Sequence, residues 1–233
     1  MGFDFPGVYL FDGQRFLAGP KVPRGSMREA EGHSVCVIQG TTAEENLRNF
    51  LARTNLHLIV ITVKSDEGAW LSFTKGRCDM FVNDGIGMAL RNANAAPVPS
   101  ANHLMGEVIS KEPLGPVVRS DDHEWFEIIR WVLEVLVAAE EQGVTRAGMS
   151  LMEKGGQVEE GAGADRAVLL GKGNDGAAAL GLDPGWIVRV ITQVGNYGEI
   201  FDRHLGADSS LKLARGVNAL WTDGGLMYAP PLQ

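Results

Sequence analysis

Two cysteines in 233 residues, Cys36 and Cys78, are too few for a disulfide scaffold and lack the spacing of a metal knuckle. Both lie at apolar-to-polar edges of expected strands. They can pair if those strands are neighbours, and are buried free thiols if they are not. The histidines His33, His57, His103, His123 and His204 stand apart, none three or four residues from another, which argues against a metal site. No apolar run approaches the roughly 18 to 20 residues that cross a bilayer. Basic charge is also short: 21 Lys and Arg against 29 Asp and Glu give a net charge of -8. With no clustered Lys/Arg stripe, no nucleic acid is expected as a partner. The start, Met1-Gly-Phe-Asp-Phe-Pro-Gly7, has neither a basic region nor a long apolar one, so as written it carries no secretory signal. No Gly-x-Ser-x-Gly elbow occurs, and Ser72, Ser110 and Ser150 have no recognisable base in local context. There is no internal repeat and no low-complexity tract.

What is present has a globular profile: 45% apolar and 21% charged residues, enough for one large domain or two small lobes. From about Ser34 to Ile109 strand and helix patterns alternate. Strands are expected at Val35 to Ile38, Leu56 to Val63, Cys78 to Val82 and His103 to Ile109. Helices fall between them at Ala43 to Arg53, Ala69 to Thr74 and Ile86 to Asn92. Short apolar strands separated by helices predict a mainly parallel α/β sheet covered on both faces. Pro113 and Pro116 mark a change of direction, followed by a short strand at Pro116 to Arg119. Ser120-Asp-Asp122 caps a long helix from His123 to Gln142, which Gly143 closes. Beyond it the expected helical pieces are Val158 to Leu170, Trp186 to Gly195 and Tyr197 to Leu205, with a tail rich in Gly and Pro.

Gly171-Lys-Gly-Asn-Asp-Gly176 fits a dinucleotide fingerprint in letters only. The residues before it read as a helix end and no strand follows within reach, so a helix cap and glycine turn account for it better. Stronger candidates lie at two expected strand ends. In Gln39-Gly-Thr-Thr-Ala-Glu-Glu45, Thr42 and Glu45 have capping-box spacing, which makes Thr42 the helix N-cap. The same helix start exposes N–H groups and a partial positive charge. Gly40, Thr41 and Thr42 therefore form a candidate seat for a carboxylate. Asp84 ends the Cys78 strand, either as the N-cap of the next helix or as a carboxylate at the sheet edge, where α/β proteins collect ligands. If the two strands are adjacent, the pair suits a zwitterion: ammonium at Asp84, carboxylate at the threonines. No other titratable group is expected beside Asp84.

Gln39-Gly-Thr-Thr42 followed by a helix, and Gly76-Arg-Cys-Asp-Met-Phe-Val-Asn-Asp84, resemble the second lobe of solute-binding proteins of polar amino acid ABC importers. Further segments are similar to one branch, the general L-amino-acid binding proteins: Ile109-Ser-Lys-Glu-Pro-Leu-Gly-Pro-Val-Val-Arg119, Gln193-Val-Gly-Asn-Tyr-Gly-Glu-Ile-Phe201, Ala214-Arg-Gly-Val-Asn-Ala-Leu-Trp221 and Gly224-Gly-Leu-Met-Tyr-Ala-Pro-Pro231. The resemblance covers essentially the whole chain. It implies a type II periplasmic binding fold, two-lobed and hinged, that closes on one free L-amino acid, polar or acidic or an amide, and delivers it to the membrane permease of an ABC importer. It implies no catalytic residue and no cofactor, a periplasmic location, Thr42 on the ligand carboxylate and Asp84 on the ammonium. It also implies a disulfide between Cys36 and Cys78. The main alternative on the same fold is a dehydratase-like enzyme.

Members of this branch begin with a signal peptide and about a hundred residues of the first lobe, including an arginine that clamps the ligand carboxylate. None of these is matched here, since Met1 to Arg15 resembles the first crossing between lobes. The expected layout is therefore residues 1–18 as a remnant of lobe 1 and first crossing, 19–109 as a complete lobe 2, and 110–233 as the return to a lobe 1 lacking its N-terminal β-α units. On that expectation Trp125, Ile128, Val132 and Leu136 lose much of their cover. Self-association, weak binding or a non-functional truncated product would follow.

Overall fold

A computed structural model describes residues 2–153, 163–173 and 175–232. In chain order the strands are β1 (Phe3–Asp4), β2 (Leu10–Asp12), β3 (Gln14–Ala18), β4 (Ser34–Ile38), β5 (Ile59–Val63), β6 (Met80–Asp84), β7 (His103–Leu104), β8 (Glu112–Leu114) and β9 (Val118–Arg119). The α-helices are α1 (Thr42–Thr54), α2 (Asp66–Thr74), α3 (Gly85–Ala95), α4 (His123–Glu141), α5 (Arg146–Glu153), α6 (Ala164–Leu169), α7 (Trp186–Val194) and α8 (Tyr197–His204). Contacts divide the chain into two compact units, one of Phe11–Pro113 and one of Met1–Leu10 with Leu114–Gln233. The boundaries differ from the expected 18/19 and 109/110 because β3 is a strand of the middle unit's sheet rather than part of a crossing.

The middle unit is built on a five-stranded sheet in the order β5-β4-β6-β3-β7. Strand β4 runs parallel to β5 and β6, whereas β3 is antiparallel to β6 and β7, so the sheet is mixed rather than simply parallel. Period-two alternation sorts the side chains between two buried clusters. Phe16, Val35, Val37, Met80 and Val82 pack with Ala43, Leu47 and Phe50 of α1. Leu17, Cys36 and Phe81 face the other way and pack with Trp70, Phe73 and Met88 of α2 and α3. Burial on both faces explains why these strands read as continuous apolar runs. The Cys36–Cys78 disulfide joins β4 to the residues just before β6, within the second cluster. Of the run His103 to Ile109, only β7 pairs as a strand. Met105 and Ile109 each donate one further N–H, to Phe16 and Gln14 carbonyls, at 2.8 and 2.9 Å.

The other unit is mainly helical. Among its described residues β1 pairs with β9 over two residue pairs. Asp122 caps α4 by accepting from the Trp125 N–H at 3.0 Å. The α4 residues Val135, Ala138 and Ala139 pack with Met149, Leu169, Trp186 and Ile191 from α5, α6 and α7. Of the four apolar residues expected to lose their cover, Leu136 is buried, Ile128 and Val132 are half-buried against this cluster, and Trp125 remains 49% exposed. Helix α5 had no counterpart among the expected elements. The expected helix Val158 to Leu170 falls partly outside the described residues; α6 is its described part. Among the described residues no helix is long and apolar enough to cross a membrane.

Candidate functional site

The carboxyl ends of β4 and β6 share one edge of the middle unit's sheet, because the two strands are parallel neighbours. Strand β3 begins at the same edge, with Gln14 directly opposite Asp84. Four segments therefore converge there: the β4–α1 turn, the end of β6, the start of β3, and residues 110 to 112.

The β4–α1 turn is made by Gly40, whose φ of +74° is the left-handed conformation that a residue with a Cβ adopts only at a cost. Its geometry corrects the expected cap. Thr41, not Thr42, is the N-cap: its Oγ1 accepts from the Glu44 N–H at 3.4 Å and its hydroxyl donates to the Ile38 carbonyl at 2.7 Å. Glu44, not Glu45, closes the turn by accepting from the Gly40 N–H at 2.8 Å. That backbone hydrogen bond, followed by the bond from Arg48, holds the Glu44 carboxyl below its usual range. Capping thus uses the Thr41 hydrogen and one of its lone pairs, leaving no hydrogen to donate to an anion. Thr42 occupies the first helical position, is exposed, and accepts from Gln14 Nε2 at 3.3 Å.

Asp84 is the N-cap residue of α3 by position, yet its side chain makes no capping bond. That task falls to Asp12, whose Oδ2 accepts from the Ile86 N–H at 3.1 Å. Gly85 permits this approach: a Cβ there would stand 3.0 Å from Asp12 Oδ1 and 2.9 Å from Arg15 Cδ. Asp84 is exposed, and alternation places it with Gln14 and Val82 on the sheet face that α1 covers.

Asp84 is not alone, contrary to the expectation from sequence. Glu112 is held above the usual carboxylate range by burial. A hydrogen bond from Ser110 opposes the shift, while the charge and a shared hydrogen bond of Asp84 and the charge of Asp12 reinforce it. The Ser110 hydroxyl donates to Glu112 Oε1 at 3.0 Å and accepts from the Gln14 N–H at 2.8 Å. Sequence spacing missed Asp12 and Glu112 because they lie 72 and 28 residues from Asp84, and no local pattern brings them together. Gln14 was missed for a different reason. It opens Gln-Arg-Phe-Leu-Ala, a strand with no β-branched residue, and a polar residue 2% exposed is not announced by periodicity.

Such an edge offers carboxylates for a cation and a helix start with an exposed hydroxyl for an anion. Among the described residues no three His, Cys, Asp or Glu groups are arranged to hold a metal ion. The 171–176 glycine segment follows helix α6 rather than a strand, in keeping with its reading as a cap and turn; Asn174 lies outside the described residues.

No protein-family model matches the chain. The whole of the chain matches part of several named proteins. The glutamate/glutamine/aspartate/asparagine-binding protein BztA of Rhodobacter capsulatus is 40% identical over 235 residues, covering 100% of this chain and 67% of that protein. The putative amino-acid ABC transporter-binding protein YhdW of Escherichia coli is 42% identical with the same coverage. The general L-amino acid-binding periplasmic protein AapJ of Rhizobium johnstonii is 38% identical over 240 residues. Among solved structures, an ABC transporter periplasmic binding protein from Brucella ovis with glutathione bound superposes with a TM-score of 0.81 at 37% identity, over 100% of this chain and 71% of that one. The fold is that of the type II periplasmic binding proteins. The chain belongs to the amino-acid ABC transporter substrate-binding proteins.

Proposed function

We propose that this chain captures free L-amino acids outside the cytoplasm for the membrane permease of an ABC importer, by binding alone and without catalysis. The observation that carries the proposal is the convergence of a carboxylate group and a helix start on one sheet edge, bridged by Gln14. Asp84, with Glu112 beside it, would receive the ligand ammonium. The exposed Thr42 hydroxyl and the first N–H groups of α1 would receive the carboxylate. Thr41 and Gly40 shape the turn that presents them, rather than contacting ligand through side chains.

The relatives support the same head-group chemistry. BztA is described as binding glutamate, glutamine, aspartate and asparagine, and the Brucella ovis protein holds glutathione. All five molecules carry a free α-ammonium and α-carboxylate on one carbon, glutathione at its γ-glutamyl end. The Cys36–Cys78 disulfide favours an oxidising compartment such as the periplasm.

Calorimetric titration of the chain with L-glutamine, L-glutamate, L-asparagine, L-aspartate and glutathione tests the proposal. At least one is expected to bind, and Asp84→Asn is expected to weaken it about tenfold or more, the scale of a hydrogen bond to a charged group. No binding of any of them, or equal binding of the deaminated acid, overturns it.

A further inference from the structure

The two hydroxyls of the β4–α1 turn are neighbours in sequence and opposite in state, and Gln14 makes the difference. Thr41 spends its hydrogen on the Ile38 carbonyl and a lone pair on the Glu44 N–H. The Thr42 oxygen accepts a hydrogen from Gln14 Nε2, and among the described residues nothing accepts the Thr42 hydrogen in return. Asn46 meets the other end of the Gln14 amide. Its Nδ2 donates to Gln14 Oε1 at 2.9 Å, so the amide nitrogen, a donor only, is left facing Thr42. With its oxygen accepting from Gln14, the exposed Thr42 hydroxyl has its hydrogen available to an acceptor outside the protein at the start of α1. The Gln14 backbone is pinned as well: its N–H donates to Ser110 and its residue pairs with Asp84 across β3 and β6.

We infer that Gln14 is a positioning residue for ligand recognition, holding the Thr42 hydroxyl as an outward donor to an α-carboxylate while its own backbone sits in register with the ammonium-binding carboxylates. Gln14 is buried, so it acts through Thr42 and not by touching the ligand. The inference rests on the amino-acid-binding reading above and adds to it the residue that sets the direction of one hydrogen bond.

The test is a double-mutant cycle by calorimetry on the full chain, using whichever of the five ligands binds most tightly. Gln14→Met keeps the volume and removes the amide. It is expected to weaken binding about fivefold to tenfold with Thr42 intact, the scale of one ordinary hydrogen bond rather than of the charged contact it directs. In a Thr42→Val background the same substitution is expected to cost less than about twofold, because the hydroxyl it directs is gone. In a Thr42→Ser background the full cost is expected to return. Thermal melting of each variant reports on folding separately. A purely structural Gln14 would lower the melting temperature and weaken binding equally in all three backgrounds, which would overturn the inference while leaving amino-acid binding intact. Failure of the unsubstituted chain to bind any of the five ligands removes the functional reading and the inference together.

Discussion

The two units bury polar amides to different ends. In the helical unit Asn196 is buried, and all its bonds serve local architecture. Its Oδ1 accepts from the Glu199 N–H at 2.9 Å, its N–H donates to Glu199 in a capping box, and its Nδ2 donates to the Val144 carbonyl at 3.0 Å. In the middle unit Gln14 is as deeply buried, yet its side-chain bonds run through Asn46 and Thr42 to the exposed start of a helix. Asn196 closes its circuit on the backbone, and Gln14 leaves one end open. Both amides are satisfied as buried polar groups should be, but only the Gln14 bonds reach an exposed hydroxyl.

Covalent cross-linking sharpens the contrast most, because the one disulfide lies in the middle unit. It closes a sequence separation of 42 residues, for which loop entropy predicts a contribution of about 4 kcal/mol. Cys36→Ala with Cys78→Ala is expected to lower urea stability by about that amount. Amide exchange should rise in β4 and β6 while α4 and α7 keep their protection. Equal loss of protection in both sets of elements would break the distinction between the units.

A smaller effect is expected at Asn196. Asn196→Ala removes the cap of α8 and leaves the Val144 carbonyl without its side-chain donor, at a cost of about 1–2 kcal/mol. Amino-acid affinity should be unchanged within error. A drop in affinity matching that of Gln14→Met would mean that both amides are structural and that the contrast is false.

The elements whose periodicity is strong were legible from sequence: β4, α1, β6, α3 and α4 appear within a few residues of their expected places. Strand β3 was not, since a central strand lacking β-branched residues declares itself only through its pairing with β6 and β7. Half of the residues gathered at the candidate site were legible. Gly40, Thr41, Thr42 and Asp84 could be named because turns and strand ends are local features. The partner of Thr42 could not, because it is Gln14, 28 residues earlier in the chain. The supporting carboxyls Asp12 and Glu112 likewise reach the sheet edge through tertiary pairing.

The smallest expected effect concerns that carboxyl group and is read through pH. Glu112 titrates above the ordinary carboxylate range, chiefly through burial. The native chain therefore keeps a proton there that the unfolded chain has released. Its unfavourable contribution to stability is fully present above the native pKa and is relieved as pH falls through it. An ammonium ligand favours the ionised form, so affinity should rise with pH across that same window and then level off. One proton limits the slope to about tenfold per pH unit, or about 1.4 kcal/mol. Glu112→Gln should flatten the profile, whereas a substitution in the helical unit such as Asn196→Ala should leave its shape intact. A profile that is flat in the unsubstituted chain would separate Glu112 from the ammonium and leave Asp84 as the ligand's counter-charge.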